Sequence, residues 1–187
     1  MDVMKIYLAG PDVFLPDARE IGRHKAELCA RHGCTGLYPL DNELSADSEA
    51  ASLQIFRANQ AMMIAADAII ANLTPFRGPS ADAGTVYELG FMAGRGKLCL
   101  GYSNDPAPYP QRVAARGAVQ QQGGALHDAN GHLVEDFGLA DNLMMMHALD
   151  LYGCALVTPA QAPDDLWHDL TAFERCIELA VERWAER

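Results

Sequence analysis

The sequence predicts a single α/β domain: a flavodoxin-like, doubly wound parallel sheet of about five strands, in the order 2-1-3-4-5. Three observations carry this reading. Short, nearly all-apolar runs alternate along the chain with longer stretches of helical period. Residues 67–101 contain a complete unit of strand, polar loop, helix and strand, the connection that parallel strands require. No linker, repeat or shift of composition divides the 187 residues, a length that suits one core.

Each element has its own signal. Residues 3–9 are a mostly apolar run closed by Gly10-Pro11, which reads as a buried first strand. The loop after it holds Asp12 and Phe14 at the strand's carboxyl end. Asp17 is placed to cap a helix reaching His32, with Ile21, Leu28 and Cys29 on one face and Gly33 as its stop. A short strand over 37–40 empties into Asp41, Asn42 and Glu43. Residues 48–66 read as a helix with Leu53, Phe56 and Met63 turned inward. A strand over 68–73, a Gly/Pro-rich loop over 74–81, a helix over 83–95 and a strand over 98–101 follow. Residues 103–136 read as a long excursion, and structureless stretches beyond about 12–15 residues usually carry function or move. A helix over 138–149 has Asp141 or Asn142 near its start. A last strand over 155–157 precedes a terminal helix opened by Asp164, with Leu166, Leu170, Phe173, Ile177, Val181 and Trp184 as its apolar stripe.

Composition narrows the function. With 14 basic against 25 acidic residues the chain carries a net charge of -11, which argues against a nucleic-acid partner. No apolar run approaches the ~20 residues of a membrane span, and the first residues lack a signal-peptide pattern. The five cysteines are odd in number and form no C-x-x-C pair, as expected of buried free thiols in a reducing cytoplasm. His127 and His132 lack acidic or thiol partners at ligand spacing, so no metal is expected, and no cofactor motif is present. His24, His32 and His168 lie in charged helices and read as solvent-exposed. The Met144-Met145-Met146 run reads as core or interface.

The residues falling at strand ends and helix starts are Tyr7, Asp12, Phe14, Asp41, Asn42, Asp82 and Glu88, with Arg77 the lone cation among them. A phosphate site calls for Gly-rich amides beside a lysine or a hydroxyl. Gly10-Pro11-Asp12 works against that, because proline has no N–H and aspartate repels an anion. A neutral, hydroxyl-rich ligand with a flat apolar part fits better, and a nucleoside meets that description. Two carboxylates beside a sugar suggest glycosyl transfer, one of them attacking the anomeric carbon. Glu88 is the candidate nucleophile: the helix dipole favours its ionised form, and Tyr7 is placed to hold its rotamer. Local pattern allows a plainer role, since Thr85-Val86-Tyr87-Glu88 matches a capping box and Asp82 matches a helix cap. Asp67 reads as structural.

Four segments carry a family resemblance: Lys5-Ile6-Tyr7-Leu8-Ala9-Gly10-Pro11, Pro39-Leu40-Asp41-Asn42, the stretch from Asp82-Ala83-Gly84-Thr85 through Glu88-Leu89-Gly90, and Asp141-Asn142-Leu143-Met144. Together they resemble the nucleoside 2-deoxyribosyltransferases over residues 5–157. The resemblance implies exchange of the nucleobase on a 2'-deoxyribonucleoside through a covalent deoxyribosyl-glutamate, with retention at C1'. Glu88 matches the nucleophile, Tyr7 the tyrosine that positions it, and Asp82 an aspartate that contacts the sugar hydroxyls. Asn142 and Met144 match a segment that a neighbouring subunit inserts into the site, which implies at least a homodimer. With these, Gly10, Asp12, Phe14, Asp41 and Asn59 make up the expected substrate-binding set. At Asn59, eight residues before Asp67, bacterial members often carry an aspartate that handles the base and its proton. A parasite branch is similar to this chain in carrying asparagine there. An amide is no general acid, which leaves Asp82 or water to protonate the leaving base. Two other functions are weighed. One is an N-glycosidase of deoxynucleosides or their 5'-monophosphates, which would need a Ser/Arg-rich loop where P-D-V-F-L-P stands; the other is a non-catalytic nucleotide-binding module.

Overall fold

The protein is described here by a computed structural model covering residues 3–41 and 51–186. Four parallel strands form the central sheet: β1 (Lys5–Ala9), β2 (Thr35–Leu37), β3 (Ala68–Asn72) and β4 (Leu98–Tyr102), in the order β2-β1-β3-β4. That is the order expected for the first four strands. The expected fifth does not form a ladder. Gly153 and Val157 touch β4 only as isolated bridges to Cys99 and Tyr102, and Pro159 soon ends the run. The second strand also ends early, because Pro39 cannot donate to a ladder and instead starts a 3-10 turn, Pro39–Asp41.

The pleat sends alternate residues to opposite faces, and helices cover both. On one face Ile6, Leu8, Ile70, Leu100 and Tyr102 pack against α1 (Ala18–Arg31) and α6 (Thr171–Ala185). On the other, Tyr7, Ile69, Ala71 and Cys99 pack against α2 (Ala51–Ala65), α3 (Ala83–Gly94) and α5 (Leu143–Tyr152). Each fully buried Leu, Ile or Phe stabilises the fold by roughly 1.5–3 kcal/mol, so these two layers supply the main driving force. Tyr7 therefore faces α3, which decides the geometry of the site.

Several expectations change. On α2, Met63 is buried, but Leu53 and Phe56 are 49% and 43% exposed rather than inward. The terminal helix starts at Thr171, not at Asp164; Asp165 instead closes a separate turn by accepting the amides of Trp167 and His168. The excursion is ordered. It holds α4 (Tyr109–Ala114) and a three-stranded antiparallel sheet, β5 (Gln120–Gln122), β6 (Ala125–His127) and β7 (Leu133–Val134). Gly123 and Gly124 both adopt positive φ between β5 and β6, as a two-residue hairpin turn demands.

The carboxyl ends of the strands are tied together by a buried polar cluster. Lys25 of α1 and Asp12 form an ion pair with almost no exposed surface, and Asn72 at the end of β3 donates its amide to the same carboxylate. Asn72 in turn accepts the amide of Thr74, whose hydroxyl accepts the amide of Asn104 beyond β4. Breaking a buried pair by removing one partner costs about 3–5 kcal/mol, because the other charge is stranded. Lys25→Met should therefore lower unfolding stability by that amount in denaturant titration, and adding Asp12→Asn should recover part of it. A single-mutant loss no larger than that of a surface substitution would rule out the clamp.

Candidate active site

The site is built from two elements that meet across one sheet face. β1 delivers Tyr7, fully buried, and α3 delivers Glu88 from its second turn. The Tyr7 hydroxyl donates to Glu88 Oε1 at 2.6 Å. This contact resolves the competing local reading of Glu88. The cap of α3 lies one turn earlier than Thr85: Asp82 Oδ2 accepts the Thr85 amide at 3.1 Å and its hydroxyl at 3.3 Å. Asp82 is the helix cap, and Glu88 turns to Tyr7 rather than back to a cap amide.

Electrostatics also differ from expectation. The helix dipole acts mainly within the first turn, and Glu88 lies beyond it. Burial dominates instead, lifting the Glu88 pKa to about 7, with the Asp82 charge adding to the rise and the Tyr7 hydrogen bond opposing it. Burial, then the neighbouring Glu88 charge, pushes the Tyr7 phenol far above its ordinary range, so it remains a donor at any working pH.

The other expected residues fall into three groups. Phe14 is 55% exposed at the end of the 3-10 turn Pro11–Phe14 and stacks on Phe76. Asp12, expected to face substrate, is wholly buried, and its carboxylate is held by Lys25 and Asn72. Gly10 serves that arrangement, since a Cβ there would meet Asn72 Cβ at 2.8 Å and both Asp12 oxygens at 3.1 Å. Asn59 lies one turn before the buried Met63, and its Oδ1 is buried without a hydrogen-bond partner. Asn142 caps α5, accepting the Met144 amide at 3.0 Å and donating to Glu135 at 2.8 Å, while Met144 is 72% exposed. Asn142 forms no hydrogen bond to Glu88 or Asp82 within the chain. Asp41 ends its 3-10 turn, and Asn42 lies outside the described residues.

Sequence reasoning did not assign roles to Asp141 and Arg112. Both are buried and paired at 3.0 Å. Asp141 also accepts from the Ser80 hydroxyl at 2.5 Å and the Ala81 amide at 3.2 Å, and Arg112 donates to Pro79 O at 2.7 Å and Ala140 O at 2.6 Å. The pair fastens the loop before α3 to the segment before α5. Only the D-N-L-M motif hinted at it. Among the described residues no cluster of His, Cys, Asp or Glu is arranged to hold a metal ion.

A parallel sheet with a tyrosine-held glutamate and a second acid at one helix start defines an α/β protein with an equipped carboxylate site. The profile of the nucleoside 2-deoxyribosyltransferase family matches residues 6–144. The chain belongs to that family. It is similar to a 2-deoxyribosyltransferase from Leishmania mexicana, with a TM-score of 0.66 and 30% identity over 96% of this chain and 97% of that one. An uncharacterised protein of Schizosaccharomyces pombe is 34% identical over 155 residues, 74% of each chain. A conserved protein from Enterococcus faecalis V583 shares the fold at 18% identity, with a TM-score of 0.59 over 96% of this chain and 99% of that one.

The raised Glu88 pKa carries a sign. Between the ordinary carboxylate range, near 4.5, and about 7 the folded chain binds the proton more tightly than the unfolded one, so stability falls as pH rises through that window. Glu88→Gln keeps an acceptor for Tyr7 and removes the charge. Its melting temperature should exceed that of the parent at pH 8, by the equivalent of roughly 1–3 kcal/mol, with the gap closing towards pH 4. A gap independent of pH would contradict this.

Proposed function

We propose that the protein transfers the 2-deoxyribosyl group between nucleobases by double displacement at C1'. The observation that carries this reading is the 2.6 Å bond from Tyr7 to a half-buried Glu88 that has given up any capping role. In the first step a Glu88 oxygen bonds to C1' while the C1'–N bond breaks and its electron pair leaves with the base, which takes a proton from Asp82 or water. In the second step a nitrogen of the incoming base bonds to C1', the C1'–O bond breaks, the carboxylate is restored, and the incoming base gives up a proton to Asp82 or water. Two inversions give net retention. Tyr7 holds the Glu88 rotamer. Asp82, whose Oδ1 has no partner among the described residues, is assigned to the sugar hydroxyls. No step calls on a metal or cofactor.

The unit of function is at least a homodimer in this reading. Leu53, Phe56, Tyr87, Met144, Leu151 and Tyr152 leave apolar surface exposed on α2, α3 and α5, and an apolar groove of about 440 Å³ runs between α3 and α5. Patches of this kind mark interaction sites. Asn142 and Met144, which reach no group of their own chain's acid pair, are assigned to the neighbour's site. We place the reaction in the cytoplasm, where five free cysteines are at home.

Incubation with a deoxynucleoside and a different free base should yield a new deoxynucleoside. Free base and deoxyribose alone would favour the N-glycosidase, in which water takes the acceptor's place. Glu88→Ala should lower exchange by at least a thousandfold, and undiminished exchange would sink the nucleophile assignment. In the parent, kcat/KM should rise with pH through about 7 as Glu88 ionises. Leu151→Asp should shift the protein to monomer in light scattering and reduce exchange with it; a fully active monomer would refute the shared site.

A further inference from the structure

Arg77 stands apart from every role described so far. It is the one non-glycine residue with positive φ (56°) among the described residues, a backbone state that costs energy and clusters at ligand sites. It is exposed, and its guanidinium makes no hydrogen bond or ion pair with any described residue. The guanidinium carbon lies 4.9 Å from the Phe14 ring centre and 4.6 Å from that of Phe76. The two rings are stacked at 5.6 Å and 10°, and Trp167 meets Phe76 edge-on at 5.8 Å.

The supports of this group are rigid. Phe14 follows the clamped Asp12 by two residues, and Phe76 follows the buried Thr74 by two. The far side of the loop is pinned where Phe76 N bonds Ser80 O at 3.1 Å and where Asp141 holds Ser80 and Ala81. The tip is thus presented, strained, at the carboxyl ends of β1 and β3, where open parallel sheets bind their ligands. Phe14, 55% exposed, offers an aromatic surface for a flat base beside the guanidinium.

We propose that Arg77, beside the Phe14–Phe76 stack, reads the base and selects 6-oxopurines, the class of hypoxanthine and guanine. The assignment rests on the deoxyribosyl-transfer reading and names its substrate class. The chemistry is one of matching edges. A guanidinium offers donors only, in a fork. A 6-oxopurine presents two adjacent acceptors, O6 and N7, which that fork fits bidentately. Adenine places an amino donor beside N7, and uracil offers a single carbonyl on that edge, so neither satisfies the fork.

The test compares hypoxanthine with adenine as acceptor bases. Arg77→Gly removes the side chain while keeping the backbone state that glycine tolerates, and Arg77→Lys keeps the charge without the fork. The parent should favour hypoxanthine. Both variants should lower the hypoxanthine-to-adenine ratio of kcat/KM by about tenfold or more, the usual weight of a bidentate contact. A ratio unchanged in both would overturn the proposal while leaving transfer itself intact. Quenching of Trp167 emission by each free base, in parent and variants, reads the same preference without turnover. If the parent exchanges no base, that titration decides. An Arg77-dependent preference for hypoxanthine keeps the site and rejects the transferase reading, and equal binding of both bases rejects the proposal.

Discussion

The buried Lys25–Asp12–Asn72 cluster is the constraint on which the functional end of the molecule depends. It joins α1, the turn after β1 and the end of β3, and through Thr74 it reaches the segment after β4. Lys25 Nζ also lies 5.2 Å from the Phe173 ring centre, so α6 is packed against the same point. Burying two charges is expensive, and an apolar replacement of equal volume is often as stable. What the polar version adds is direction. Hydrogen bonds fix where each loop leaves the sheet, whereas apolar contacts would let them slide. Phe14 and Phe76, two residues beyond the cluster on either loop, inherit that order.

A second polar pair performs the same service on the α3 side. Arg112 and Asp141 bind the loop before α3 to the segment before α5, chiefly through backbone groups. The 103–136 excursion is therefore part of the frame of the site, since α4 within it supplies Arg112 and Glu135 just before its end holds the α5 cap. Between the two anchors, Asp82 caps α3 and sets the rotation of the helix. That rotation places Glu88 against Tyr7.

The legible parts of the sequence were those that depend on local pattern. The strand order, the helix starting at Asp82 and the inward position of Tyr7 follow from period, caps and motif. The pairing of Asp12 with Lys25 does not, because residues 13 apart meet only once a turn and a helix are folded. Asp12 accordingly looked like a ligand-facing acid. Leu53 and Phe56 failed for another reason: helical period finds an apolar face, but not whether this chain or a partner covers it. The excursion was misread although Gly123-Gly124 is a hairpin signal, since the flanking Gln120–Gln122 strand is polar and exposed and lacks apolar alternation. Glu88 stood between two local readings, and the Tyr7 contact, together with the cap one turn earlier, separates them.

The proposed chemistry asks the site to hold opposite charges at two ends of one breaking bond. As C1'–N cleaves, the sugar becomes oxocarbenium-like and the base leaves with an electron pair. Acids suit the first end. Burial strengthens what Glu88 and Asp82 do for a developing cation, and the same burial holds Glu88 near neutrality when the site is empty. The Tyr7 bond moderates this by favouring the ionised form. Asn59 supplies no proton at the other end, because an amide does not titrate usefully. The guanidinium proposed for that end meets the need differently: in that role it donates hydrogen bonds to the departing base, and it never loses its charge. In the proposed arrangement the acids at the start of α3 complement the charge on the sugar and Arg77 the charge on the base, so that each group is assigned to one end of the breaking bond.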